Sequence, residues 1–209
     1  MGLKVEILVF YRMSIDEYFK NLGVSSFYEG YSQQIQDQVD TLIELTKKPG
    51  IDVMEIGFNA GHSADTFLKH NPQLTLTSFD IGGHDYVLPG KTYIDATYPN
   101  RHTLLLGDSR SSVPNYIREN KGKTFDVIFI DGGHDYEVIS FDIEHCKKLS
   151  HKDTIVIVDD VVFNPEFEKD WTCAPTAVCK EYIETGKLKE LGRAEYSFGR
   201  GMLWANYIL

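Results

Sequence analysis

From Ile51 onward the chain alternates short, almost continuous runs of β-branched and apolar residues with longer amphipathic stretches. The runs are Ile51 to Ile56, Leu74 to Phe79, His102 to Leu106, Phe125 to Ile130 and Thr154 to Val158. Runs this short and this evenly apolar suit strands covered on both faces, as in a parallel sheet whose crossovers are helices. The stretches between them predict helices at His62 to His70, Lys91 to Tyr98, Arg110 to Asn120 and Tyr136 to Leu149. In the last, Ile139, Ile143 and Cys146 recur at i, i+4 and i+7, one face of a helix. Beyond Asp160 the rhythm changes to a long loop from Val161 to Trp171, a helix from Thr172 to Thr185, and two further strands within Lys187 to Leu209. Gly199-Arg200-Gly201 is the hairpin-like turn between those two. A five-stranded parallel core that ends in an antiparallel pair is the expected architecture.

Before Ile51, the spacing of Ile35, Val39, Leu42 and Ile43 predicts a helix from Ser32 to Lys48, closed by Pro49-Gly50. A shorter helix is expected from Ser14 to Asn21, because Ser14 with Glu17 three residues on is a capping-box pattern. Leu3, Val5, Ile7 and Val9 alternate like a strand, with no evident partner. The chain thus reads as a single domain: an N-terminal helical cap over 1–50 and a core over 51–209.

Composition narrows the class of partner. Apolar residues make up 42% and charged residues 25% of the 209, ordinary for a globular chain. Thirty-one acidic residues against 21 Lys and Arg leave a net charge of -10, which repels phosphate backbones and anionic lipid surfaces. Neither nucleic acid nor a membrane is expected as partner, and no apolar run approaches the ~20 residues needed to span a bilayer. Lys4 and Glu6 interrupt the first apolar run, unlike a signal peptide, so a cytoplasmic location is expected. Cys146, Cys173 and Cys179, odd in number and without CxxC spacing, suggest reduced, buried thiols.

In an open α/β sheet, ligands bind beyond the carboxyl ends of the strands, so the residues just past each run carry the chemistry. After the first run comes Glu55-Ile56-Gly57-Phe58-Asn59-Ala60-Gly61-His62-Ser63, a glycine turn opening a helix whose first N–H groups are available to a ligand. The G-x-G-x-x-G dinucleotide fingerprint is missing, which argues against NAD. Asp80 ends the second run, about 20 residues beyond the glycine turn, where an acidic side chain can take two ribose hydroxyls. Gly107-Asp108-Ser109 follows the third run, Ile130-Asp131-Gly132-Gly133-His134-Asp135-Tyr136 the fourth, and Val158-Asp159-Asp160 closes the fifth. The pentapeptide Gly-Gly-His-Asp-Tyr occurs at both 82–86 and 132–136, so His84 and His134 are expected on the same rim.

The E-x-G-x-x-x-G-x-S turn resembles motif I of class I S-adenosylmethionine-dependent methyltransferases, and the I-D-G-x-H-x-Y pattern resembles a subfamily related to catechol and sugar O-methyltransferases. The likeness covers Val53 to Val161 and implies a Rossmann-like fold, with a seven-stranded, mostly parallel sheet and helices on both faces. It implies that Glu55, Gly57, Asn59, Gly61, Ser63, Asp80, Asp108, Ser109 and Asp131 bind S-adenosyl-L-methionine. It further implies that Asp131, Asp159 and Asp160 converge on Mg²⁺ or Mn²⁺, a hard cation suited to oxygen ligands.

Methyl transfer to an alcohol needs a proton acceptor, and His134 stands where the catechol enzymes carry a lysine base. A histidine with an ordinary pKa of ~6.5 can take that proton near neutrality. Asp-Asp in place of Asp-Asn looks more like the sugar-modifying branch. The expected activity is therefore metal-assisted O-methylation of a sugar or glycan hydroxyl. A phenol or catechol O-methyltransferase, or a catalytically silent S-adenosylmethionine-binding module, are the alternatives. The His62 and His84 roles stay open, as do a homo-oligomer and a place within a larger multidomain chain. Tyr11, Phe27, Tyr28 and Tyr31, with Phe163, Phe167 and Trp171, flank the core and could pack there or stack on an acceptor.

Overall fold

The computed structural model describes residues 13–23, 31–196 and 199–209. The alternating segment Leu3 to Val9, and Tyr11, Phe27 and Tyr28, lie outside these residues. The strands are β1 (Asp52–Ile56), β2 (Thr75–Asp80), β3 (His102–Leu106), β4 (Phe125–Ile130), β5 (Ser150–Asp159), β6 (Leu188–Tyr196) and β7 (Arg200–Tyr207). They form one sheet in the order β3-β2-β1-β4-β5-β7-β6. Pairs among β1 to β5 are parallel, whereas β7 runs antiparallel to both β5 and β6. The order reverses between β1 and β4, where the crossovers leave on opposite sides and a crevice opens.

The strands read as continuous apolar runs because successive residues feed opposite cores. Val53, Val127, Phe129 and Ile157 pack on one face; Met54, Ile128, Ile130, Val156 and Val158 pack on the other. The first core is closed by α1 (Ile15–Leu22), α2 (Gln36–Leu45), α3 (His62–His70) and α4 (Val87–Thr97), which supply Phe19, Leu42, Phe67 and Ile94. The second is closed by α5 (Ser109–Glu119), α6 (Tyr136–Cys146) and α7 (Asp170–Glu184), through Val113, Ile143 and Val178. The helices before residue 50 thus pack into the same core as the sheet. The Ser14–Glu17 capping box forms, with Glu17 N–H donating to Ser14 Oγ at 3.2 Å and Ser14 N–H to Glu17 Oε2 at 2.8 Å. No helix among the described residues is long and apolar enough to cross a membrane.

Several boundaries depart from the periodicity. The helix expected from Ser32 to Lys48 is broken: a 3₁₀ turn covers Ser32–Gln34, Ile35 is extended, and α2 begins at Gln36. A tertiary contact accompanies the break, since Gln33 Nε2 donates to the His62 carbonyl (3.0 Å), Asp65 Oδ2 (3.1 Å) and Thr66 Oγ1 (3.1 Å) on α3. Helix α4 begins at Val87 rather than Lys91, which places Pro89 in the first turn, where its missing N–H is harmless. Strand β5 begins at Ser150, four residues before Thr154, past a register shift opposite Phe125 to Val127. Cys146 and Cys179 are buried as expected, but Cys173 is exposed.

Candidate active site

A cleft of about 1340 Å³ lies over the carboxyl ends of the parallel strands. Its floor depends on one glycine. Gly57 has φ +99°, and a Cβ there would stand 1.8 Å from the Asp131 carbonyl oxygen, so only glycine lets the turns after β1 and β4 pass each other. Gly57 N–H donates to the Phe79 carbonyl at 2.8 Å and Asp131 N–H to the Ile56 carbonyl at 2.8 Å, which carries the sheet one residue beyond its strands. Asp80, at the end of β2, accepts the Asn59 N–H at 2.8 Å on Oδ2 and the Gly82 N–H at 2.7 Å on Oδ1. One carboxylate thereby holds the loops after both β1 and β2. Asp108 caps α5 by accepting the Arg110 N–H at 2.9 Å and pairs with the Arg110 guanidinium at 2.6 Å. Those hydrogen bonds hold its carboxyl down at about 2.

Gly57, Asn59, Asp80, Asp108, Ser109 and Asp131, all expected at the cofactor, do line the cleft. Glu55, Gly61 and Ser63 do not. Glu55 is fully buried and accepts hydrogen bonds from Ser63 Oγ and, at 2.6 Å, from Ser78 Oγ. It is a strut joining β1, β2 and α3 beneath the turn, and burial pushes its carboxyl up to about 7. Gly61 is the left-handed N-cap of α3, φ 94°. Pattern reading missed Ile81, which follows Asp80 into the cleft 70% exposed; its signal was an isolated apolar residue just past a strand end. It also missed Gln34, Ile35 and Gln36, which line the cleft from the segment before β1 and for which nothing local to their sequence gives a sign.

The other end of the cleft is acidic. Asp160 sits in the left-handed region at φ 55°, a conformation that an aspartate tolerates better than most residues. Its Oδ2 lies 2.7 Å from His134 Nε2. Asp159, in contrast, is engaged elsewhere: both its oxygens accept from Gln38 Nε2 at 2.9 Å, and Oδ1 also takes the Asp160 N–H at 2.9 Å. Arg200, first residue of β7, sets its guanidinium 3.8 Å from Asp159 Oδ2 and 3.6 Å from Asp160 Oδ1.

The ligand set expected for a metal therefore needs correcting. Asp131, His134 and Asp160 each bring one ligand atom within 4.8 Å of the others, and Asp159 is not among them. Asp160 Oδ1 is buried with no hydrogen-bond partner among the described residues, so this set fits a small divalent cation. Three carboxylates against Arg200 and one histidine leave an excess of negative charge, and the titrations respond. Burial, reinforced by Asp159 and Asp160, pushes the Asp131 carboxyl well above the usual range. Burial and Asp160 push Asp159 up to about 7. The hydrogen bond to Asp160 raises His134.

The two pentapeptide histidines do share one rim, since both line the cleft; His84 is stacked on Tyr86 with centroids 4.8 Å apart. His62 does not reach the cleft. It is buried in the first turn of α3, 3.0 Å from Asp16 Oδ1 and stacked under Tyr31 at 4.0 Å. Trp171 lines the cleft, 44% exposed, while the Phe163 ring is covered by Arg193 at 4.0 Å.

Residues 54–161 match the family model described as a methyltransferase domain. The chain belongs to this methyltransferase family. The matched segment runs from β1 to the residue after Asp160, so it contains the carboxyl ends of all five parallel strands. No curated protein matches the chain. Among solved structures, the methyltransferase is similar to an O-methyltransferase from Bacillus cereus in complex with SAH, at 19% identity and TM-score 0.69, covering 92% of this chain and 90% of that one. It is also similar to a putative caffeoyl-CoA O-methyltransferase from Staphylococcus aureus, at 14% identity and TM-score 0.68, over 98% of this chain and 97% of that one. A third similar structure is the apo form of a TDP-rhamnose 3'-O-methyltransferase of calicheamicin biosynthesis, with 21% identity, TM-score 0.63, and 98% and 91% covered. These likenesses establish the class I, S-adenosylmethionine-dependent methyltransferase fold for this chain.

Proposed function

We propose that this methyltransferase methylates a hydroxyl oxygen of a sugar or another small polar acceptor, with His134 as the proton acceptor. The observation that carries the reading is the 2.7 Å contact between His134 Nε2 and Asp160 Oδ2 on the open rim of the cleft. A buried carboxylate there orients the imidazole and favours its protonated form, as a general base requires once it has taken a proton. S-adenosylmethionine, when bound, supplies a methyl group on a sulfonium that is already electrophilic. Gly57, Asn59, Asp80, Asp108, Ser109 and Asp131 would hold it over the β1 to β4 half of the cleft, and Ile81 offers an apolar surface for its flat base. His134 would accept the proton of the acceptor hydroxyl, whose oxygen would gain the methyl as the sulfonium's S–CH₃ bond breaks to leave the thioether. Trp171, which lines the cleft and is 44% exposed, offers an aromatic surface suited to the apolar face of a sugar. The likeness to a TDP-rhamnose methyltransferase supports the same acceptor class.

A second reading is favoured by the convergence of Asp131, His134 and Asp160 within 4.8 Å. Mg²⁺ or Mn²⁺ held there would lower the pKa of a coordinated hydroxyl, and His134 would be a ligand instead of a base. Turnover before and after exhaustive chelation, over a panel of sugar, catechol and phenol acceptors, separates the possibilities. Full activity without metal and loss in His134→Ala supports the base; activity restored only by Mg²⁺ or Mn²⁺ supports the ion. Transfer to catechols but to no sugar would overturn the acceptor class. Binding of S-adenosylhomocysteine with no transfer to any acceptor would point to a silent cofactor-binding module.

A further inference from the structure

Arg200 falls outside the segment that carries the family pattern, yet its guanidinium is turned into the acidic end of the cleft. It arrives there because β7 inserts beside β5, pairing Asp159 with Met202 two residues further along. The side chain is 13% exposed. Its distances to Asp159 Oδ2 and Asp160 Oδ1, 3.8 and 3.6 Å, are those of an ion pair without a hydrogen bond, and Nε has no hydrogen-bond partner among the described residues. A planar guanidinium that pairs with a carboxylate for its own sake closes to a two-pronged contact near 2.8 Å, as Arg110 nearly does with Asp108. Arg200 instead stands centrally, near enough to compensate more than one carboxylate and bonded to none.

We propose that Arg200 is a positioning residue, the resident cation of this site: it holds Asp159 and Asp160 together and competes with a divalent ion for the acidic cluster. The inference rests on Asp131 and Asp160 being the carboxylates that such an ion would use. Two cations drawn to one set of acids repel each other, so the arginine weakens the ion's binding while sparing the carboxylates from mutual repulsion. Asp159, tied to Gln38, belongs to the arginine's share of the cluster, which explains why it is absent from the ligand set. The acceptor end would be preformed without metal, and the affinity for an ion would be set from β7.

The test is calorimetric titration of Mn²⁺ alone into wild type, Arg200→Gln and Arg200→Lys, with S-adenosylhomocysteine titrated in parallel to show that each variant is folded and its cofactor half intact. Arg200→Gln should bind Mn²⁺ at least about tenfold more tightly than wild type, with Arg200→Lys, which keeps the charge, close to wild type. Equal, tight Mn²⁺ binding by all three would remove the role given to Arg200 and leave the ion reading standing. Weaker binding in Arg200→Gln would make the arginine a support of the metal site and overturn the competition. Absence of Mn²⁺ binding in all three would overturn both. If Arg200→Gln fails to bind S-adenosylhomocysteine, Arg200→Met, which keeps the aliphatic stem, takes its place in the same comparison.

Discussion

Asp80→Asn tests whether one carboxylate organises the cofactor half of the cleft. The wild-type side chain accepts the Asn59 N–H at 2.8 Å and the Gly82 N–H at 2.7 Å, one on each oxygen. An asparagine offers a single oxygen acceptor, and its amide would turn a donor toward whichever N–H it failed to satisfy. One charge-assisted hydrogen bond is therefore lost and one is reduced to a neutral bond, each change worth roughly 1 to 2 kcal/mol. The loss of charge toward the ribose hydroxyls adds a similar amount once ligand is bound. Because Asn59 already stands at φ 52°, its turn should relax when that anchor goes. About 1.4 to 2.8 kcal/mol of that total should fall on ligand binding and the rest on the free protein, so S-adenosylhomocysteine affinity should weaken about ten- to a hundredfold, at 1.4 kcal/mol per decade. Calorimetry measures it, with thermal unfolding of the free protein as the companion reading. Asp85→Asn, on the exposed stretch of the same loop, is the control and should leave the affinity unchanged. An Asp80→Asn variant that binds as tightly as wild type would refute the reasoning, because neither the loop anchor nor the ribose contact could then matter.

Three other outcomes follow from the geometry. His134→Ala should lower kcat by ~10²–10⁴ with the KM for the cofactor little changed; since Asp160 raises the His134 pKa and the base must be neutral, the wild-type rate should fall as pH drops through a value above ~6.5, and that limb should vanish in the variant. Gly57→Ala would set its Cβ 1.8 Å from a carbonyl oxygen at φ +99°, so cofactor affinity in calorimetry should collapse, or soluble protein should fail to accumulate. Glu55 has a folded pKa of about 7 against an ordinary 4.5, so its neutral form is the one that folding favours. Stability from this group is full below the ordinary pKa and declines until the folded one is passed, by at most about 3 kcal/mol. Chemical denaturation of Glu55→Gln between pH 5 and 8 should show that slope flattened, and an unchanged slope would assign it elsewhere.

Much of this molecule can be read from local pattern because its core is built from local repeats. Strands buried on both faces must be apolar throughout, and the first one or two residues past each run are where the cleft is lined; Asp80, Asp108, Asp131 and Asp160 were legible for that reason. The glycine turn after β1 was legible too, since a backbone passing 1.8 Å from where a Cβ would stand leaves no other choice of residue at Gly57. What a strand-end residue does once there is set by neighbours distant in the chain. Glu55 and Ser63 sit within the motif, but contact with Ser78 and with each other draws them under the turn and away from the cleft. Asp159 and Asp160 are adjacent and chemically identical, yet Gln38, 121 residues away, claims the first and leaves the second to His134. Arg200 enters the site only because a hairpin inserts its second strand next to β5, a long-range pairing that leaves no trace in the spacing around it. Hydrophobic periodicity records which face of an element is covered, and so it determined the sheet and its rim; which charges meet across that rim is a matter of non-local packing, and the tertiary structure alone decided it.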